Sequence, residues 1–179
     1  MTETQSTISE WAEATFGPAG SNLRCATRAN EEMAELLREL ALDDRSPKAP
    51  DEAADIAIVL CRLAQRMKFS LTDETAKRSY EFFPRRTSGV SAAISANREM
   101  GRLLSRLEIE DDHPQAAQQA AHAAGGVILW LVRLLQISGS DLWQEVDRKM
   151  AINRARTWHL DGSGHGYHID STQPCEVPK

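Results

Sequence analysis

Two stretches of this 179-residue chain repeat each other, and that repeat narrows the possible folds more than any other feature. Ala29-Asn30-Glu31-Glu32-Met33-Ala34-Glu35-Leu36-Leu37 resembles Ala96-Asn97-Arg98-Glu99-Met100-Gly101-Arg102-Leu103-Leu104 at an offset of 67 residues. The same offset pairs Leu40 with Leu107, Asp44 with Asp111 and Pro47 with Pro114. Several matches in register mark an internal duplication. The length suits one domain with a sizeable core.

Both copies carry helix signals. Ile8 to Phe16 reads as a short helix with Ile8, Trp11 and Ala12 on one face and Gly17-Pro18 as its stop. A longer helix covers Ser21 to Leu42. Pro50, Asp51 and Glu52 open a third, which runs to Lys68 with Ile56, Val59, Leu60 and Leu63 at helical period. Leu71 to Phe83 gives a fourth, ended by Pro84, and residues 84–90 join the copies. The second copy repeats the plan over Ala92–Ile109, Pro114–Ile137 and Ser140–Arg156. Its middle helix, with Val127, Ile128, Leu131, Val132, Leu134 and Leu135, belongs at the centre of the core. No strand-like alternation is present, so the expected fold class is all-α. The expected units are residues 1–84, residues 85–158 and an irregular tail over 159–179.

A formal charge of −5 argues against binding nucleic acid through a basic surface, yet leaves room for a local phosphate pocket. The apolar run Gly125–Leu135 is too short to span a bilayer and contains Arg133. The N-terminus lacks the pattern of a signal peptide. Cys25, Cys61 and Cys175 have no metal spacing, and the odd count does not suggest a disulfide framework. A reducing cytoplasm, without a membrane partner, is the expected setting.

Four carboxylates stand in two short words, Glu32-x-x-Glu35 and Glu52-x-x-Asp55. Each pair has i, i+3 spacing and projects from one helix face. The Pro-containing stretch between them reads as a reversal, which brings the four acids together across two antiparallel helices. Like charges gathered there need a hard cation, and oxygen-only donors suit Mg²⁺ or Mn²⁺. Glu39 and Asp51, close by, read as solvated or capping residues.

The second copy has lost this set. At the same offset Glu32 becomes Glu99, but Glu35 becomes Arg102, Glu52 becomes Gln119 and Asp55 becomes His122. One intact cation site per chain is the expectation. A complementary pattern appears at the ends of the copies. After a further shift of one turn, Glu74-x-x-Lys77-Arg78 matches Glu145-x-x-Arg148-Lys149. Only the second continues with Asn153 and Arg156 on the face of Lys149; the first has Phe82 at the Asn position. Cationic and amide donors suit phosphate oxygens. A composite site follows, with acids from one copy and phosphate donors from the other.

These residues resemble the MazG-like, all-α nucleoside triphosphate pyrophosphohydrolases, a superfamily that includes the dimeric dUTPases. The family pattern Glu-Glu-x-x-Glu, then Glu-x-x-Asp, stands here as Glu31-Glu32-Met33-Ala34-Glu35 and Glu52-Ala53-Ala54-Asp55. The later Lys-x-x-x-Asn-x-x-Arg element is similar to Lys149 through Arg156. The resemblance covers residues 8–158. It implies two tandem repeats, the second degenerate, packed as an intramolecular pseudo-dimeric helical bundle. It also implies cleavage between the α and β phosphates of a nucleoside triphosphate, with Glu32, Glu35, Glu52 and Asp55 on Mg²⁺. Glu31 would orient or deprotonate water, and Lys149, Asn153 and Arg156 would touch phosphate. A homodimer of the whole chain is compatible with it.

Rival readings differ in class. A catalytically silent helical module, binding nucleotide or a partner protein, fits the half-decayed duplication. A di-metal carboxylate oxidase needs Glu-x-x-His words, and only Gln119-x-x-His122 approaches one. His159, His165, His168 and Cys175 match no common zinc spacing. Gly162 to Gly166 follows no strand and opens no helix, so it is not read as a nucleotide loop. Trp11, Trp143, Tyr80 and Phe83 can stack a base but suit the core better.

Overall fold

The structure, a computed structural model, describes residues 2–78, 87–109, 114–160 and 166–168. Among them are seven helices: α1 (Gln5–Phe16), α2 (Asn22–Leu42), α3 (Ala49–Arg66), α4 (Leu71–Lys77), α5 (Gly89–Leu107), α6 (Pro114–Ser138) and α7 (Leu142–Ala155). The fold class is all-α. Hydroxyl and carboxylate caps set the starts. Thr4 forms a capping box with Thr7, and Ser21, Ser70 and Ser88 accept from backbone amides in their first turns. Asp141 does the same for α7. These caps start α1 and α5 three residues ahead of the apolar pattern, which registers only once side chains face the core.

Two helix pairs form the body, α2 with α3 and α5 with α6, and α2 lies on α5. Fully buried Met33, Leu36, Ile56, Leu60, Met100, Leu103, Ile128 and Leu131 fill the space between them. The remaining helices cross between the pairs. α4, which follows α3, packs mainly on α6, whereas α7, which follows α6, packs on α3. α1 also lies on α3, where buried Arg62 donates to Glu13 Oε1 (3.0 Å) and to the Gly17 carbonyl (2.5 Å).

Two glycines bring α4 onto α6. A Cβ at Gly125 would sit 2.6 Å from the Glu74 carbonyl carbon, and one at Gly126 would collide with the Arg78 guanidinium. Helix α6 ends one residue beyond its expected bound, and as a whole it is long and apolar enough to correct the expectation drawn from the run Gly125–Leu135 alone. By length and hydropathy it could cross a membrane, but 67% of its apolar window is buried inside this fold, as a core helix requires. Cys25 and Cys61 are buried, and burial pushes their thiols up to about 11 and about 12.

Another expectation is corrected. The tail after Trp158 is not wholly irregular: β1 (Trp158–Leu160) and β2 (Gly166–His168) pair antiparallel. Trp158 anchors this hairpin. Its ring packs edge-on against Phe16 and Trp11, with centroids 5.0 and 6.0 Å away, and its Nε1 donates to the Asn153 carbonyl (3.0 Å). Strands of three residues are too short for alternation to show. Tyr80, Phe82, Phe83, Pro84, His165 and Cys175 lie outside the described residues.

Candidate cation and phosphate site

The α2–α3 pair brings the two acidic words together. Glu32 projects from the buried side of α2, while Glu52 and Asp55 project from the first turns of α3. One oxygen from each of these three carboxylates falls within 4.8 Å of the others. Glu35 is half-buried and not one of the three. Its charge nevertheless reaches Glu32 and Glu52 and helps to raise both. Glu31 is exposed, pairs with Arg28 (2.7 Å) and stands apart from the cluster.

Burial and mutual repulsion raise the proton affinity of the cluster. Desolvation is the largest cause at Glu32, reinforced by Asp55, Glu35 and Glu52 and opposed by Arg28; its pKa is pushed up to about 7. Glu52 moves the same way through burial and the charges of Asp55 and Glu35. Asp55 is also raised, because burial outweighs the nearby Lys149, Arg156 and Arg28. Acids held this way gain from a cation that enters among them.

Two side chains already supply positive charge. α7 delivers Lys149, mostly buried, with Nζ 2.7 Å from Asp55 Oδ2 and 3.9 Å from Asp51 Oδ2. Arg28, one turn before Glu32 on α2, sets Nη2 on Glu32 Oε1 and Nη1 on Glu31. Asn153 is buried, and its Oδ1 accepts from Arg156 Nη1 (3.3 Å). Arg156 is close enough for its charge to lower Asp55. Lys149, Asn153 and Arg156 therefore share the side of α7 that meets the acids. Asp51 is no mere cap, since it bridges α3 to Arg148 and Lys149 on α7. Glu39 pairs with Lys48 (3.5 Å) and accepts from Ser46 Oγ.

The residues 67 positions on are arranged differently. Glu99 is buried and takes both ends of the Arg78 guanidinium (2.8 and 3.1 Å), together with Arg102 (2.5 Å). Arg78 Nη1 also reaches the His122 carbonyl (3.4 Å), and the His122 ring lies 3.8 Å from Glu74. Among the described residues no second group of three acids forms.

No family model, curated protein or solved structure matches this chain. Its own geometry must carry the argument. Oxygen-only donors from two rigid helices, short of positive charge, fit a hard divalent cation. A cavity of about 520 Å³ opens between the α2–α3 and α6–α7 connections; Asp51 and Arg148 line it with Arg45, Ser46 and Glu145, but none of the three clustered acids does. Sequence reasoning singled out the acids, Lys149, Asn153 and Arg156, but not Arg28, Arg78 or this cavity. Arg28 could have been found from its i, i+4 spacing to Glu32. Nothing in the local sequence marks Arg78 as the partner of Glu99.

Proposed function

We propose that this protein is a Mg²⁺- or Mn²⁺-dependent nucleoside triphosphate pyrophosphohydrolase of the MazG-like kind. The observation that carries the reading is the meeting of Glu32, Glu52 and Asp55 within 4.8 Å, with Lys149 brought onto Asp55 by a helix from the other end of the chain. Acids alone would make a cation site; acids with buried cationic and amide donors on the facing helix suit a cation together with a phosphate chain. The crossing of α4 onto α6 and of α7 onto α3 supports the finer reading of two repeats in a pseudo-dimeric bundle. On that reading the guanidinium of Arg78, a residue of the first repeat, reaches Glu99 in the degenerate repeat and balances it where a cation otherwise would.

A cation held by Glu32, Glu52 and Asp55, with Glu35 beside them, would neutralise phosphate charge and lower the pKa of a bound water. Lys149 and Arg156 hold phosphate oxygens, and Asn153 fixes the Arg156 guanidinium. Glu35, whose charge acts on both Glu32 and Glu52, is better placed than the exposed Glu31 to receive a proton from water.

The test is a panel of nucleoside and deoxynucleoside triphosphates with Mg²⁺, assayed for pyrophosphate and orthophosphate. Pyrophosphate release, abolished by Glu35→Gln or Asp55→Asn and weakened by Lys149→Ala, is the expected result. Orthophosphate alone would place cleavage elsewhere. Absence of turnover would favour the silent binding module, whose acids are balanced internally by Arg28 and Lys149.

A further inference from the structure

Arg28 holds one oxygen of Glu32, the buried acid that a cation would share with Glu52 and Asp55. We infer that Arg28 is an exchangeable counter-charge, displaced from Glu32 when a divalent cation enters, and that the freed guanidinium then binds the phosphate chain of the substrate. The inference rests on the cation-and-triphosphate reading of the same site and adds to it a residue that reading did not contain.

Three observations carry it. The first is competition. Glu32 is the most buried acid of the three, and one of its two oxygens accepts from Arg28 Nη2. A dication coordinated among Glu32, Glu52 and Asp55 would stand beside that guanidinium, and like charges so close repel. The second is the tether. Arg28 Nη1 is also held by Glu31 Oε2 at 2.7 Å, and Glu31 is exposed. Leaving Glu32 does not send the guanidinium into bulk water; Glu31 keeps it at the rim of the site.

The third is position. The Arg28 side chain is 38% exposed, whereas that of Lys149 is 11% exposed. One cation therefore sits at the rim of the cluster and the other within it, on different helices. A planar guanidinium presents two parallel donors to a phosphate, which an ammonium does not. Cation binding and anion binding are then coupled through one side chain: the cation releases the donor that the anion uses.

Such a residue has opposite effects on two ligands, which a purely structural residue does not. The experiment compares the full-length wild type with Arg28→Gln and Arg28→Lys. Mn²⁺ binding is measured alone by electron paramagnetic resonance, and inorganic triphosphate binding by calorimetry at saturating Mn²⁺. Arg28→Gln is expected to tighten Mn²⁺ several-fold, because its competitor is gone, and to weaken triphosphate about tenfold. Arg28→Lys should fall between the two. Unchanged Mn²⁺ affinity, or unchanged triphosphate affinity, overturns the inference while leaving the cation site standing. Failure of the wild type to bind Mn²⁺ overturns the cation reading and this inference with it. Circular dichroism melts of the variants confirm that the comparison is made on folded protein.

Discussion

At Glu32, burial and three carboxylate neighbours outweigh the Arg28 guanidinium, and the sign of the resulting pH dependence follows directly. The group titrates near 4.5 in an unfolded chain and near 7 in the folded one. The folded state therefore binds the proton more tightly. The stability this provides is complete below about pH 4.5 and is lost as the pH rises through 7. With divalent cations chelated, the melting temperature should fall between pH 5 and 8, and Glu32→Gln should raise it at pH 8 by about 5 °C. Added Mn²⁺ should reverse the slope, because cation and proton compete for the same oxygens. A melting temperature independent of pH in chelator would count against this account. At this scale the acids were legible because i, i+3 spacing fixes which side chains share a face. Of the counter-charges Lys149 was legible too, but Arg28 was passed over, since a guanidinium one turn away pairs as readily on a solvated surface as in a buried cluster.

Among the elements, α6 shows how a local rule can be overridden by a contact. Replacing glycine by alanine inside a helix normally stabilises by up to about 1 kcal/mol. At Gly125 the added Cβ would meet the Glu74 backbone at 2.6 Å, and backbone cannot rotate away. Gly125→Ala should therefore destabilise by about 1–3 kcal/mol, the usual cost of overpacking, as read by urea unfolding. A gain in stability would mean that α4 does not sit on α6. The helices themselves were legible from periodicity and caps to within about three residues at most ends, but α4 stops at Lys77, well short of the expected Phe83. The β1–β2 hairpin was not, because what positions it is the contact of Trp158 with Trp11 and Phe16, from the opposite end of the chain.

For the whole molecule, the all-α class followed from the repeat and the absence of alternation. The crossing of α4 and α7 did not, since an offset relates residues to each other and says nothing about which copy a helix rests on. Because α7 from the second half covers α3 and α4 from the first covers α6, each half completes the packing of the other. A fragment of residues 1–84 should lack a cooperative melt by circular dichroism, and mixing it with residues 85–179 should restore one. A cooperative melt for the first fragment alone would show that the halves are independent. The same crossing bears on the order in which the ribosome delivers the parts. α2 and α3, with all the acids, emerge before Lys149 on α7. A chain terminated before α7 would carry the carboxylates without Lys149 and Asn153, so the activity proposed for this site would arise only in a product whose synthesis has passed α7.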